Sequence, residues 1–411
     1  MSTEISPLAP EQFPEMHPVA GVRLAAIEVG VRYEGRADVT LVDLAAGTTV
    51  AGVLTKSKAP GAPVDWCRKI LPRGTARGLV VKAGNANVFT GDAGRIAVEE
   101  TAAAAADLLG VEARDIYVAS TGVIGEFLDH TIVTEQLPRA HNSLSETAWR
   151  DAADAILTTD TFAKGASRTA RIGDATVTIS GIAKGSGMIA PDMATMLSFV
   201  FTDAAIPAPV LQNLLVRNAE PTFNSITVDG DTSTSDTLLL FATGQGAEHP
   251  VPTSADDPVL AEFSAALHDV LHDLALQVVC DGEGAQKLIE IRVTGAESDA
   301  AARRMGLVVA NSPLVKTAVA GEDANWGRVV MAVGRSGELA DRDRMSVSFG
   351  GIAIARDGRP VEGYDEAPVT AHMKGRKVLI ETSVGVGGGA WTVWTCDLTH
   401  GYISINADYR S

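Results

Sequence analysis

Apolar, β-branched runs closed off by turn formers recur along the whole chain, and they set the tightest limit on how it can fold. Val39–Leu44, Thr49–Thr55, Gly78–Lys82 and Asp115–Ala119 read as strands in the first third. Ala175–Ile182, Met196–Thr202, Thr237–Thr243, Leu288–Thr294, Ser346–Ala355, Lys377–Thr382 and Thr392–Cys396 follow. Helical patterning is sparser: an alanine-rich stretch capped by Asp92 and stopped at Gly110, then Ala148–Leu157, Pro209–Ala219 and Leu260–Leu276. Strands and helices do not alternate regularly, so the pattern predicts an α+β layered sandwich rather than a doubly wound parallel sheet. A proline-dotted leader precedes it to about Ala20, and the run Gly385–Gly389, between two strands, reads as a hairpin connection.

Composition narrows the classes of partner. With 46% apolar residues, a chain of 411 can bury a large core. The 51 acidic residues exceed the 34 basic ones, for a net charge of -17, and no basic block or aromatic-interleaved basic stripe occurs, which argues against nucleic acid as a partner. Cys67, Cys280 and Cys396 lie far apart with no C-x-x-C spacing, the usage expected in a reducing, cytoplasmic setting. The acidic first residues lack the basic start and apolar run of a secretion signal or membrane anchor. His268 and His272 share a helix face at i, i+4, but Asp269 stands where a zinc-protease motif needs Glu and no third ligand accompanies them, so no metal is expected. Trp326 reads as core packing.

Chemistry concentrates between Gly181 and Thr202, GIAKGSGMIAPDMATMLSFVFT. A glycine-rich turn around Lys184 leads through Pro191-Asp192 to small residues directly before Thr195 and an apolar strand. Taken alone, Thr195 is an ordinary strand residue. The alternative is a nucleophile. A threonine hydroxyl is weak unless a base takes its proton, and if the Ala194–Thr195 bond were cut, the freed α-amine, with a pKa of roughly 7.7–8.0, would be that base. The hydroxyl attacking the Ala194 carbonyl would make an ester that water opens. The turn also evokes a phosphate-binding loop, but its lysine precedes the final glycines and the spacing fails.

The segment KGSGMIAPDMATML closely resembles the self-cleavage block of the ornithine acetyltransferase family, the bifunctional glutamate N-acetyltransferases of arginine biosynthesis. ASTGVIGEFL, AILTTDTF, VVCDGEGAQKLIEI, NSPLVKTAVAGEDANWGR and the final SINADYRS resemble further blocks of that family, in its order. Agreement at several long blocks weighs far more than one short pattern.

The resemblance implies an αββα sandwich of the self-cleaved N-terminal-nucleophile type, two β-sheets between helices, cut between Ala194 and Thr195 into an α chain of residues 1–194 and an intertwined β chain of residues 195–411. It implies a heterotetramer of two α and two β chains. Thr195 would carry acetyl from N2-acetyl-L-ornithine to L-glutamate, with Thr121 and Gly122 stabilising the oxyanion and Thr161, Lys184, Thr195, Glu283, Asn406 and Ser411 binding substrate. Lys184 suits an α-carboxylate, and Glu283 an ammonium. No cofactor or metal is implied, and acetyl-CoA remains open as a second donor. The chain departs from the family at Lys82 and at Val88-Phe89, and Ser411 stands where threonine is frequent.

Overall fold

The computed structural model describes residues 4–190 and 196–407. The expected cleavage site, Ala194 and Thr195, and the terminal Ser411 lie outside the described residues. Nine described strands precede residue 243: β1 (Val22–Ile27), β2 (Val39–Leu44), β3 (Thr49–Leu54), β4 (Gly78–Asn85), β5 (Ile116–Val123), β6 (Lys164–Ile172), β7 (Ala175–Lys184), β8 (Leu197–Thr202) and β9 (Thr237–Ala242). They form two sheets, of order β1-β2-β4-β5 and β3-β9-β8-β7-β6.

The two-residue period of a strand gives each sheet two faces, and here both faces are apolar. On the facing sides Leu79, Val81 and Tyr117 of one sheet meet Phe199, Phe201 and Phe241 of the other. Phe201 and Phe241 stack at 5.2 Å, and Tyr117 meets Phe241 edge-on at 5.9 Å. The outer face of the first sheet, through Val80 and Val118, packs on Val98, Ala102 and Ala105 of the helix Gly91–Leu109. The outer face of the second, through Val200, Leu238 and Leu240, packs on the helices Ala208–Ala219 and Ala261–Cys280. This is the helix–sheet–sheet–helix layering that the resemblance implies.

A third sheet goes beyond that expectation. It comprises β10 (Leu288–Ala296), β11 (Ser346–Phe349), β12 (Ile352–Arg356), β13 (Arg359–Pro360), β14 (Lys377–Ser383) and β15 (Gly389–Cys396), in the order β13-β12-β11-β14-β10-β15. Its own core includes Trp326, partly buried against it as the sequence suggests.

Three local readings are corrected. The strand expected over Ser346–Ala355 is a hairpin, reversed at Gly350 and Gly351, which take φ of 60° and 80°. Gly385–Gly389 is not a hairpin: β14 and β15 flank β10, so the run crosses the end of β10, where a Cβ on Gly389 would lie 2.2 Å from Ser298 backbone. Asp92 sits in the first turn of its helix, and the N-cap is Thr90. No described helix is long and apolar enough to cross a membrane.

Candidate active site

Parallel neighbours β4 and β5 run in register from Gly78↔Ile116 to Asn85↔Val123, pairing Gly84 with Gly122. Gly122 takes φ 130°, and a Cβ there would lie 2.2 Å from the Gly84 carbonyl carbon, so only glycine lets the strand ends close this tightly. Thr121 and Gly122 thereby form one wall of a cavity of 260 Å³.

Lys184, the last residue of β7, forms the second wall. Its buried ammonium donates to Thr158 Oγ1 at 2.8 Å and Thr121 Oγ1 at 3.2 Å, and faces Asp160 Oδ2 at 3.7 Å. Burial lowers its pKa, Lys164 adds to that, and Asp160 and Glu283 oppose it without prevailing. Glu283, in the loop after the helix Ala261–Cys280, closes the cavity opposite. Its N–H donates to Ser186 O at 2.9 Å, and its Oε2 accepts from Asn406 Nδ2 at 2.7 Å. Burial raises the Glu283 pKa despite hydrogen bonds from Asn406 and Thr159. A Cβ on Gly187 would come within 2.6 Å of that carboxyl, which explains a glycine there. Asn406 projects from the helix His400–Ala407, in which no described residue is buried.

Five of the expected site residues, Thr121, Gly122, Lys184, Glu283 and Asn406, therefore line one cavity although they span 286 positions of sequence from Thr121 to Asn406. Thr161 stands behind its wall: the hydroxyl donates to Asp281 Oδ1 at 2.5 Å and the N–H to Asp281 Oδ2 at 2.9 Å, while Thr158 and Thr159 line the cavity.

Charged groups that sequence reasoning passed over support these residues. Lys164 is fully buried and donates to Asp160 Oδ1 at 2.8 Å and Asp281 Oδ2 at 2.6 Å. Burial alone would push the Asp160 carboxyl up, but the ammoniums of Lys164 and Lys184 outweigh it and hold it below the ordinary carboxylate range. Asp229 accepts from the N–H groups of Met188 at 2.6 Å and Ile189 at 2.9 Å, and from Tyr402 Oη at 3.3 Å. Asp236 Oδ1 accepts from Met196 N–H at 3.0 Å, and burial raises its pKa well above the usual range. Asp160 and Asp281 sit inside the blocks TTDTF and CDGEG; Asp229 and Asp236 bound a loop rich in small polar residues that offered no pattern to single them out.

A cavity with an ammonium on one side and a carboxylate on the other matches the two charges of an amino acid. Comparison with known proteins agrees. Residues 23–411 match the ArgJ family. The chain is 58% identical over 407 residues to the arginine biosynthesis bifunctional protein ArgJ of Gluconobacter oxydans, covering 99% of this chain and 96% of that one. It is 56% identical to the protein of the same name from Agrobacterium fabrum, with both covered in full. The crystal structure of the ArgJ protein from Bacillus halodurans superposes with a TM-score of 0.50 at 43% identity, covering 52% of this chain and 100% of that one. The chain belongs to the ArgJ family and is a bifunctional acyltransferase of arginine biosynthesis.

Proposed function

We propose that the chain cuts itself between Ala194 and Thr195 and that Thr195 then carries acetyl from N2-acetyl-L-ornithine to L-glutamate, releasing L-ornithine and N-acetyl-L-glutamate. The observation that carries this reading is the cavity that gathers Thr121, Gly122, Lys184, Glu283 and Asn406. Lys184 takes the α-carboxylate of the acetylated amino acid, and Glu283, oriented by Asn406, takes the side-chain ammonium of ornithine. Thr161 reaches substrate through Asp281 and the buried charges beside it, and Ser411 contributes a terminal hydroxyl.

In the cut, the Thr195 hydroxyl adds to the Ala194 carbonyl, the C–N bond breaks with its proton passing to nitrogen, and water opens the ester. Transfer repeats the logic: the α-amine of Thr195 takes the hydroxyl proton, the hydroxyl attacks the acetyl carbonyl, and Thr121 and Gly122 donate to the oxyanion. Ornithine leaves as an amine, and the glutamate α-amine then takes acetyl from the ester. Acetyl-CoA serves as the second donor that a bifunctional member requires.

Residues 1–194 and 195–411 would remain together as α and β chains, assembled in pairs as a heterotetramer in the cytoplasm. The Bacillus halodurans chain, matched in full yet covering about half of this one, has the length of one such fragment. The unpaired state of Cys67, Cys280 and Cys396 suits a reducing compartment. A mass spectrum of the purified protein tests the cut: two fragments are expected, the second beginning at Thr195, and one intact chain from T195A. An intact wild-type chain that transfers acetyl, or loss of acetylornithine at equal speed without glutamate, would defeat the proposal.

A further inference from the structure

Two ammonium groups and two carboxylates are packed together behind the cavity with almost no exposure to water. Lys164 and Asp160 have fully buried side chains, Asp281 is joined to them through Lys164, and the Lys184 side chain is 5% exposed. Asp160 is the hub. Its Oδ1 accepts from Lys164 Nζ at 2.8 Å and Gly185 N–H at 2.5 Å, and its Oδ2 accepts from Thr158 N–H at 3.0 Å. Thr158 in turn accepts from Lys184, so one carboxylate fixes both the lysine's backbone neighbour and its hydroxyl partner. Asp160 Oδ2 stands 3.7 Å from Lys184 Nζ, close enough to neutralise charge and too far for a strong hydrogen bond.

An ammonium has three protons, and Lys184 gives one each to Thr158 and Thr121. The third stays available to a ligand in the cavity. We propose that Asp160 is a positioning residue for the acyl-donor site, holding Lys184 protonated and aimed while leaving one of its protons for the α-carboxylate of the substrate. Lys164, tied to Asp281 and through it to Thr161, is the counter-charge that keeps Asp160 ionised so far from water. The inference rests on the reading of Lys184 as the carboxylate's partner.

The charged groups bearing on Lys184 are Asp160, Lys164 and Glu283, with Asp236 influenced by it from the strand beyond. Replacing Asp160 with Asn removes the carboxylate that faces both ammoniums and leaves Asp281 paired with Lys164 alone. Lys184, which lines the cavity, then gives up its proton at a lower pH than in the wild type. A neutral amine loses its charge-assisted bond to carboxylate, worth a factor of about ten to a hundred.

The test is steady-state kinetics with N2-acetyl-L-ornithine on cut, folded D160N protein. Toward the alkaline end of the pH range the KM should rise about ten- to a hundredfold over wild type while kcat stays within about threefold, and the KM ratio should shrink as pH is lowered and Lys184 regains its proton. A purely structural role would lower kcat and leave the KM ratio independent of pH. If D160N stays insoluble or uncut, D160S takes its place, since it removes the same charge with a smaller side chain and the same pH-recoverable KM rise is expected. The K184M variant separates the two levels of argument. If K184M leaves KM unchanged, the carboxylate does not bind Lys184 and the site reading fails. If K184M raises KM but D160N or D160S leaves it at the wild-type value across the pH range, only the role of Asp160 is overturned.

Discussion

Substituting Gly187 with Ala probes the site at one atom. A Cβ at this position would lie 2.6 Å from the Glu283 carboxyl carbon and 2.6 and 2.7 Å from its two oxygens. The backbone at Gly187 is not in the left-handed region, so alanine adds no strain of its own. Something must move by about an ångström, and what moves is the end of a flexible side chain, so the fold survives with a stability loss at the low end of the roughly 1–3 kcal/mol that overpacking costs. The displaced carboxylate, however, loses its 2.7 Å bond from Asn406 and its aim into the cavity. A misplaced charged partner costs about 1.5–3 kcal/mol of binding, and 1.4 kcal/mol is a factor of ten, so the KM for acetylornithine should rise about ten- to a hundredfold. The assay is initial-rate kinetics beside a thermal melt on the same preparation. An unchanged KM, or a KM rise matched by a large drop in melting temperature, would refute the reasoning, because the first removes Glu283 from recognition and the second makes the damage global.

Thr121→Val keeps the branched shape but removes the hydroxyl that Lys184 bonds; if Thr121 is an oxyanion donor, kcat should fall about 10²–10³-fold, measured as single-turnover acetylation of Thr195. Lys82 is fully buried, its ammonium has no hydrogen-bond partner among the described residues, and burial depresses its pKa to about 8. A depressed lysine destabilises the fold fully below that pKa and not at all above its ordinary 10.5, so K82M should stabilise the protein by up to about 3 kcal/mol at pH 7, with the gain fading between pH 8 and 10.5 in chemical denaturation. Asp236 has the opposite sign of dependence: its raised pKa means stability present at low pH is lost as pH climbs above the usual carboxylate range, and D236N, which keeps an acceptor for Met196 N–H, should flatten that slope.

β2, β3, β4, β8 and β9 were legible from their apolar, β-branched runs and β7 from Val177 and Ile179 alternating with Thr176, Thr178 and Ser180, each within three residues of its expected bounds, whereas β5 runs four residues past its expected end at Ala119. β6 was not legible. Its sequence KGASRTARI carries two arginines and small residues, and only its nine-residue pairing with β7 makes it a strand. β1 was hidden in the same way, since VRLAAI alternates weakly and gains its core role from Val22 and Leu24 packing between sheets. At the site, Lys184 and Glu283 could be named from family blocks, yet their chemistry depends on Asp160, Lys164 and Asp281, charged residues that sequence alone assigns to the solvent. Burying four charges becomes affordable only when distant segments bring them into mutual contact, which no local pattern records. Phe89, a departure from the family, is 89% exposed with φ 58°, at the rim of a separate 420 Å³ cavity, and nothing in the structure explains that choice.

The order β3-β9-β8-β7-β6 gives the proposed cut an unusual setting. β3, β6 and β7 precede residue 194 and β8 and β9 follow it, so the second fragment's two strands are held between strands of the first on both sides. β7 pairs β8 from Ile179↔Thr202 to Lys184↔Leu197, and β3 pairs β9 from Thr49↔Ala242 to Leu54↔Thr237. Pulling the fragments apart would strip both ladders and leave a bare two-stranded ribbon with two open edges, the kind of surface that aggregates. Severing one peptide bond thus frees a terminus without creating a dissociable subunit. Halves expressed separately and mixed should fail to regain activity, because each would have to fold around strands it does not possess.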